Sequence, residues 1–181
     1  METTEKIVES YCRYIKNFFT ISNVKIKNDE IDLLAVDTSK ENQTIKYHIE
    51  ISVSISSNFS KLTAKEYNVE KYKEINGKAS QRRTIGFFIE KKFGKKECLD
   101  KLKQLGFQEG QYKKVIVSWG WTDEAKEIAD RHSIELWDFR EIINEIGESF
   151  KEDKTYFMDD TLRTLQLYIR ANKHKINKSS R

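Results

Sequence analysis

The sequence predicts an α/β fold, a mixed β-sheet flanked by helices with a further helix appended at the C-terminus. Three observations lead there. Short runs rich in β-branched and aliphatic residues recur at 23–27, 30–37, 45–54 and 113–119. Between them lie segments whose apolar residues fall at helical spacing. Strands also alternate with helices in the second half, which requires crossover connections and therefore some parallel pairing.

The elements follow in order. TTEKIVESYCRYIKNFF (3–19) sets Ile7, Val8, Tyr11, Ile15, Phe18 and Phe19 near helical spacing, with Thr3 or Thr4 as cap. NVKIK (23–27), EIDLLAVD (30–37) and IKYHIEISVS (45–54) read as strands, the last two joined by the polar, hairpin-like TSKENQ. LTAKEYNVEKYKEIN (62–76) reads as a helix ending at Gly77, and RTIGFFIEK (83–91) as a strand. KKECLDKLKQL is a helix stopped by Gly106, and KKVIVSW (113–119) has the continuous apolar run of a buried strand. Thr122 caps a helix with Asp123 and Glu124 in its first turn, where the helix dipole favours negative charge. A short strand at 133–138, a helix at 139–147 and a last helix near 159–171 complete the chain. Residues 1–150 are expected to form the main domain, and 151–181 a C-terminal helix with a basic tail.

Composition bounds the function. At 181 residues the chain can bury a core without disulfides or metals, and its two cysteines, Cys12 and Cys98, form no metal-ligand pattern. No secretory pattern stands at METTEKIVES, and apolar runs such as IGFFI (85–89) are far too short for a bilayer. The expectation is a cytoplasmic protein that does not engage the membrane. Lys and Arg number 33 against 29 Asp and Glu, a net charge of +4 that permits nucleic-acid binding without demanding it. The seven glycines are scattered and none forms GxGxxG, which argues against a nucleotide-cofactor protein.

The stretch KYHIEISVS (46–54) carries the functional question. As a strand it puts Ile49, Ile51 and Val53 on one face and Lys46, His48, Glu50 and Ser52 on the other. That second face either meets water or lines a site. Acidic residues are placed in a telling order: Glu5 on the first helix, Asp32 in the strand NDEID, Glu50 in the next strand HIEIS. Together with the closing segment KKVIVSWGWTDEAKEIADRHSIELWD, this order resembles the PD-(D/E)XK nuclease superfamily, closest to its Mrr-like restriction endonuclease branch.

The resemblance covers roughly residues 4–54 and 113–147 and implies a restriction-endonuclease-like sheet. It implies a metal-dependent nuclease hydrolysing DNA phosphodiester bonds, with Mg²⁺ or Mn²⁺ as cofactor. The metal ligands would be Asp32, Glu50 and the backbone carbonyl of Ile51, with Glu5 in support. A carboxylate-held hard cation neutralises phosphate charge and yields a hydroxide-like nucleophile near neutral pH. The family's lysine two residues after the Glu is replaced here by Ser52. Lys46 shares the strand face but lies too far along it, so the charge is expected from Lys61, Lys65 or Lys71, with Lys65 taken as the catalytic candidate. The alternative is a catalytically degenerate module that keeps the fold and binds nucleic acid or a protein. DNA is the expected partner, and a homodimer stays open.

Other residues have plainer readings beside functional ones. A lone strand histidine such as His48 is more often structural than catalytic. Trp119 and Trp121 are expected to pack rather than stack on bases. Lys91, Lys92, Lys95 and Lys96 in EKKFGKK read as a solvated turn or a phosphate contact, and the tail lysines carry the same two readings.

Overall fold

The computed structural model describes residues 2–27, 29–41, 43–55, 61–68, 84–152, 157 and 159–178. Helix α1 (Thr3–Ser10) runs on through a π-helical turn, Tyr11–Ile15. Its cap is Glu2 rather than Thr3 or Thr4: the Glu2 amide donates to the Glu5 carboxylate at 3.0 Å, tying the first orphan donors to the third helical residue. The helix ends before the apolar periodicity does. Asn17 takes a left-handed φ of 58°, tolerated by asparagine better than by most residues, and the chain reverses so that Phe19 starts a strand.

Five strands form one sheet in the order β1 (Phe19–Ile26), β2 (Asp29–Lys40), β3 (Gln43–Ser52), β4 (Lys113–Ser118), β5 (Ile134–Asp138). The first three are an antiparallel meander, and β3–β4 and β4–β5 pair in parallel. The mixed sheet is thus as expected; the polar 38–43 segment does lie where β2 turns into β3, but residues 38–40 and 43 belong to the strands themselves. The helices are α2 (Ile85–Phe87, extended by the π-helical Phe88–Phe93), α3 (Lys96–Gln104), α4 (Asp123–Arg131), α5 (Phe139–Glu152) and α6 (Asp160–Lys178). Thr122 caps α4, accepting from the Ala125 amide at 3.2 Å.

The helices cover both faces of the sheet. On one side α1, α5 and α6 pack over Leu33, Ile49, Val115 and Val117, with Val8, Ile146 and Leu162 closing the core. Leu162 is fully buried there, so the C-terminal helix shares this core. Ser10 of α1 donates to Asp159 at 3.1 Å, and Asp159 in turn accepts from the Leu162 amide at 2.9 Å. On the other side α2 and α4 bury Ile85, Phe88, Phe93, Ala125 and Ala129 against Ile116, while α3 lays Cys98 and Leu102 on Ile31 and Leu34.

Two expectations fail in the middle of the chain. The strand expected over 83–91 is absent where it is described: Thr84 forms an isolated bridge, a helix follows, and Arg83 lies outside the described residues. A short apolar run cannot be told from a buried helix by periodicity, and the local chemistry here chose the helix. The Thr84 hydroxyl accepts from the Phe87 amide at 3.3 Å as a cap, and Ile85, Phe88 and Phe93 all turn inward. The helix expected over 62–76 is absent where it is described. Leu62 and Thr63 form isolated bridges to Trp121 and Thr84, residues 64–68 are irregular, and 69–76 lie outside the described residues.

Two glycines fix how α2 sits. A Cβ on Gly86 would meet the Tyr67 amide nitrogen at 2.5 Å, so only glycine lets the 66–67 backbone cross the helix this closely. A Cβ on Gly94 would fall 2.7 Å from the Ile89 carbonyl oxygen. That oxygen belongs to the widened turn, so Gly94 permits the π geometry to close.

Candidate active site

The polar face of β3 does not meet water. His48 and Glu50 are both fully buried, beneath α2 and α3. The antiparallel register pairs Leu33 with Ile49 and Leu34 with His48, and continuing it one step sets Asp32 opposite Glu50 on the same face. There the ladder opens, and the Asp32 side chain takes its place: Oδ2 accepts from the Ile51 amide at 2.8 Å. Strand pairing therefore delivers two carboxylates to one point.

A third group meets them from the helix above. Lys92, in the π-helical extension of α2, brings its Nζ to 3.2 Å from Asp32 Oδ1 and 2.6 Å from Glu50 Oε2. It also donates to the Glu30 carbonyl at 2.9 Å, so its three donors face three oxygens. Glu50 Oε2 is thus held by an ion pair with the Lys92 ammonium. The other oxygen, Oε1, lies 2.8 Å from His48 Nε2.

Electrostatics follows from the count. Two buried carboxyls face one ammonium, so ionising both would leave one negative charge uncompensated. Burial, with the Glu50 charge added, pushes Asp32 up to about 8, against the pull of Lys92 and the Ile51 amide. Burial likewise pushes Glu50 up to about 7, again opposed by Lys92. For Lys92, burial works to lower the pKa, but the two carboxylates outweigh it and raise it. Burial and the Lys92 charge push His48 down to about 3, so its ring is neutral at neutral pH. Only 10% of the Asp32 side chain and 14% of Lys92 reach solvent, which makes their edge of the cluster its mouth.

The remaining predicted residues are placed as follows. Glu5 Oε2 accepts from the Glu2 amide and, at 3.4 Å, from Asn23 Nδ2; it reaches Asp32 only through its charge. Ser52 ends β3 opposite Ser118 and is partly exposed. Lys61 and Lys65 are exposed, and Lys71 lies outside the described residues. Among the described residues the lysine on the carboxylates is Lys92, not Lys65. Lys46, set aside as too distant, turns away to donate to the Gly106 carbonyl at 2.6 Å. EKKFGKK is more than a solvated turn, since Lys95 also pairs with Asp29 at 3.3 Å. Trp119 packs edge-on against Phe139 and donates to the Ser54 carbonyl, in keeping with a packing role.

Do these residues suit a divalent cation? Among the described residues no group of three His, Cys, Asp or Glu side chains gathers as a metal cluster. Mg²⁺ does not need one, because it is commonly held by one or two carboxylates with water and substrate oxygens completing the octahedron. Two carboxyls brought to one point, one of them at the solvent edge, suit such a cation.

No protein-family model matches the chain, and no curated protein matches it significantly. Among solved structures it is similar to the crystal structure of AF1548, a protein of unknown function, at 16% identity and a TM-score of 0.43, covering 91% of this chain and 78% of that one. Among the described residues no helix is long and apolar enough to cross a membrane.

Proposed function

We propose that the chain is a divalent-metal-dependent nuclease of the PD-(D/E)XK type that hydrolyses DNA phosphodiester bonds. One observation carries this reading: the Lys92 ammonium contacts both the Asp32 and the Glu50 carboxylates, from a helix rather than from the strand position taken by Ser52. The residue type missing from the sequence motif is thereby present in the spatial one. Asp32 and Glu50, with the Ile51 carbonyl, would hold Mg²⁺ or Mn²⁺. The bound metal would neutralise phosphate charge and lower the pKa of an attacking water. Lys92 contributes a fixed positive charge where negative charge develops in the transition state. Asp32 and Lys92 stand at the solvent edge, where a phosphate can arrive. The net charge of +4 suits a polyanionic partner.

The full burial of Glu50 favours a second reading, a degenerate module whose carboxylates are already neutralised by Lys92. A single assay separates the two. Duplex and single-stranded DNA are incubated with the protein in Mg²⁺, Mn²⁺ or EDTA, beside Glu50→Ala. Cleavage is expected with either metal, none in EDTA and none in the variant. Cleavage that survives Glu50→Ala would place the activity elsewhere, and an inert wild type that binds no Mn²⁺ would leave the module.

A further inference from the structure

We propose that His48 is a positioning residue for Glu50: its Nε2–H donates to Glu50 Oε1 and so holds Oε2 toward Lys92 and the cation position. The consequence for metal binding rests on the nuclease reading; the hydrogen bond itself rests on geometry alone.

His48 and Glu50 are two apart on one strand and so project from the same face. Nε2 lies 2.8 Å from Oε1 in a site with no exposure. With Glu50 ionised, as metal binding requires, the carboxylate only accepts, and a neutral imidazole has one donor and one acceptor. If the proton sat on Nδ1, two lone pairs would confront each other at that distance. The proton therefore belongs on Nε2.

The other nitrogen supplies an independent observation. Nδ1 is buried without a partner, and the imidazole ring as a whole lies edge-on to Phe93, ring centroids 4.8 Å apart, with the Tyr112 ring centroid at 6.1 Å and Leu34 across the strand pair. A phenylalanine would fill such a shell with no orphaned nitrogen of its own, but it would strip the buried Glu50 Oε1 of the partner it has here. An imidazole that leaves one nitrogen unsatisfied to bond a carboxylate with the other is a cost for packing, and it makes sense as a means of orienting that carboxylate. Outer groups of this kind commonly set the geometry of metal ligands. The charged neighbours are Glu50 on its own strand, Asp32 on β2, Lys92 from α2 and Lys114 on β4.

The test uses the full chain. Long-range ¹H–¹⁵N spectra of the labelled, metal-free protein read the tautomer. Mn²⁺ titration by calorimetry and DNA cleavage rates are then compared for wild type, His48→Phe and His48→Gln. The expected results are a proton on Nε2 and Mn²⁺ affinity roughly 10- to 100-fold weaker in His48→Phe. Most of that affinity should return in His48→Gln, whose amide can donate from nearly the same place. A proton on Nδ1, or wild-type Mn²⁺ affinity in His48→Phe, overturns the proposal. If His48→Phe does not fold, a folded His48→Gln that has lost Mn²⁺ binding overturns it equally. An Nε2 proton in a wild type that binds no Mn²⁺ upholds the positioning of Glu50 and removes the nuclease reading instead.

Discussion

Asp32→Asn is expected to abolish metal-dependent cleavage and at the same time make the protein more stable. The cluster holds two carboxylates and one ammonium, and burial together with the Glu50 charge pushes Asp32 up to about 8. The amide keeps an oxygen for the Ile51 amide and removes the surplus charge. Single stabilising substitutions commonly gain about 0.5–2 kcal/mol, with lost function as the recurrent cost at active sites. Denaturant midpoints in EDTA at pH 8 measure the gain, and cleavage in Mg²⁺ measures the loss. An Asn variant that is less stable than wild type would show the carboxylate to be structural; one that still cleaves would remove it from the chemistry.

Lys92→Met is expected to lose activity too, but with a loss of stability. Removing one partner of a buried ion pair leaves uncompensated charge and costs about 3–5 kcal/mol. The sign of its pH dependence is fixed. Asp32 has a folded pKa above its ordinary 3.8, so between about pH 4 and 8 the folded protein holds a proton that the unfolded chain has released. Stability therefore falls as pH rises through that window. Without Lys92 the carboxylates hold their protons to higher pH, so the cost of Lys92→Met should be larger at pH 9 than at pH 6. Cleavage should fall by roughly 10²–10³, the loss seen when a fixed electrostatic donor is removed. Adding Ser52→Lys to Lys92→Met should restore part of it, because position 52 points to the same face of β3 as Glu50. No restoration, with metal binding intact, would show that Lys92 acts from a place the strand cannot reach.

The pair of carboxylates was legible in the sequence because strand geometry is strongly periodic. Alternation put His48 and Glu50 on one face, and the hairpin of β2 with β3 brought Asp32 alongside. Lys92 was hidden by an ambiguity at 85–93. Read as a strand, IGFFI sends its lysines out into a solvated turn. Read as a helix capped by Thr84, the same residues pack Phe88 and Phe93 inward and carry Lys92 over the sheet. The threonine ahead of the apolar run was the available signal. The burial of His48 was not legible, since alternation shows that a face is polar and cannot show what covers it.

The π-helical turn in α2 also bears on how this gene can change length. Its i→i+5 bonding holds one residue more than an α-helical turn, and Phe88 and Phe93 stand five positions apart, both buried. Losing one in-frame codon between them, such as that for Glu90, would leave the phenylalanines four apart. Four is the spacing that an ordinary α-helix aligns on one face. The shortened helix would still present the lysine beside its second phenylalanine to the carboxylates, so Mn²⁺ binding should survive deletion of Glu90. Homologues one residue shorter in this stretch are thus expected to keep the site, even where an alignment sets their lysine against Lys91.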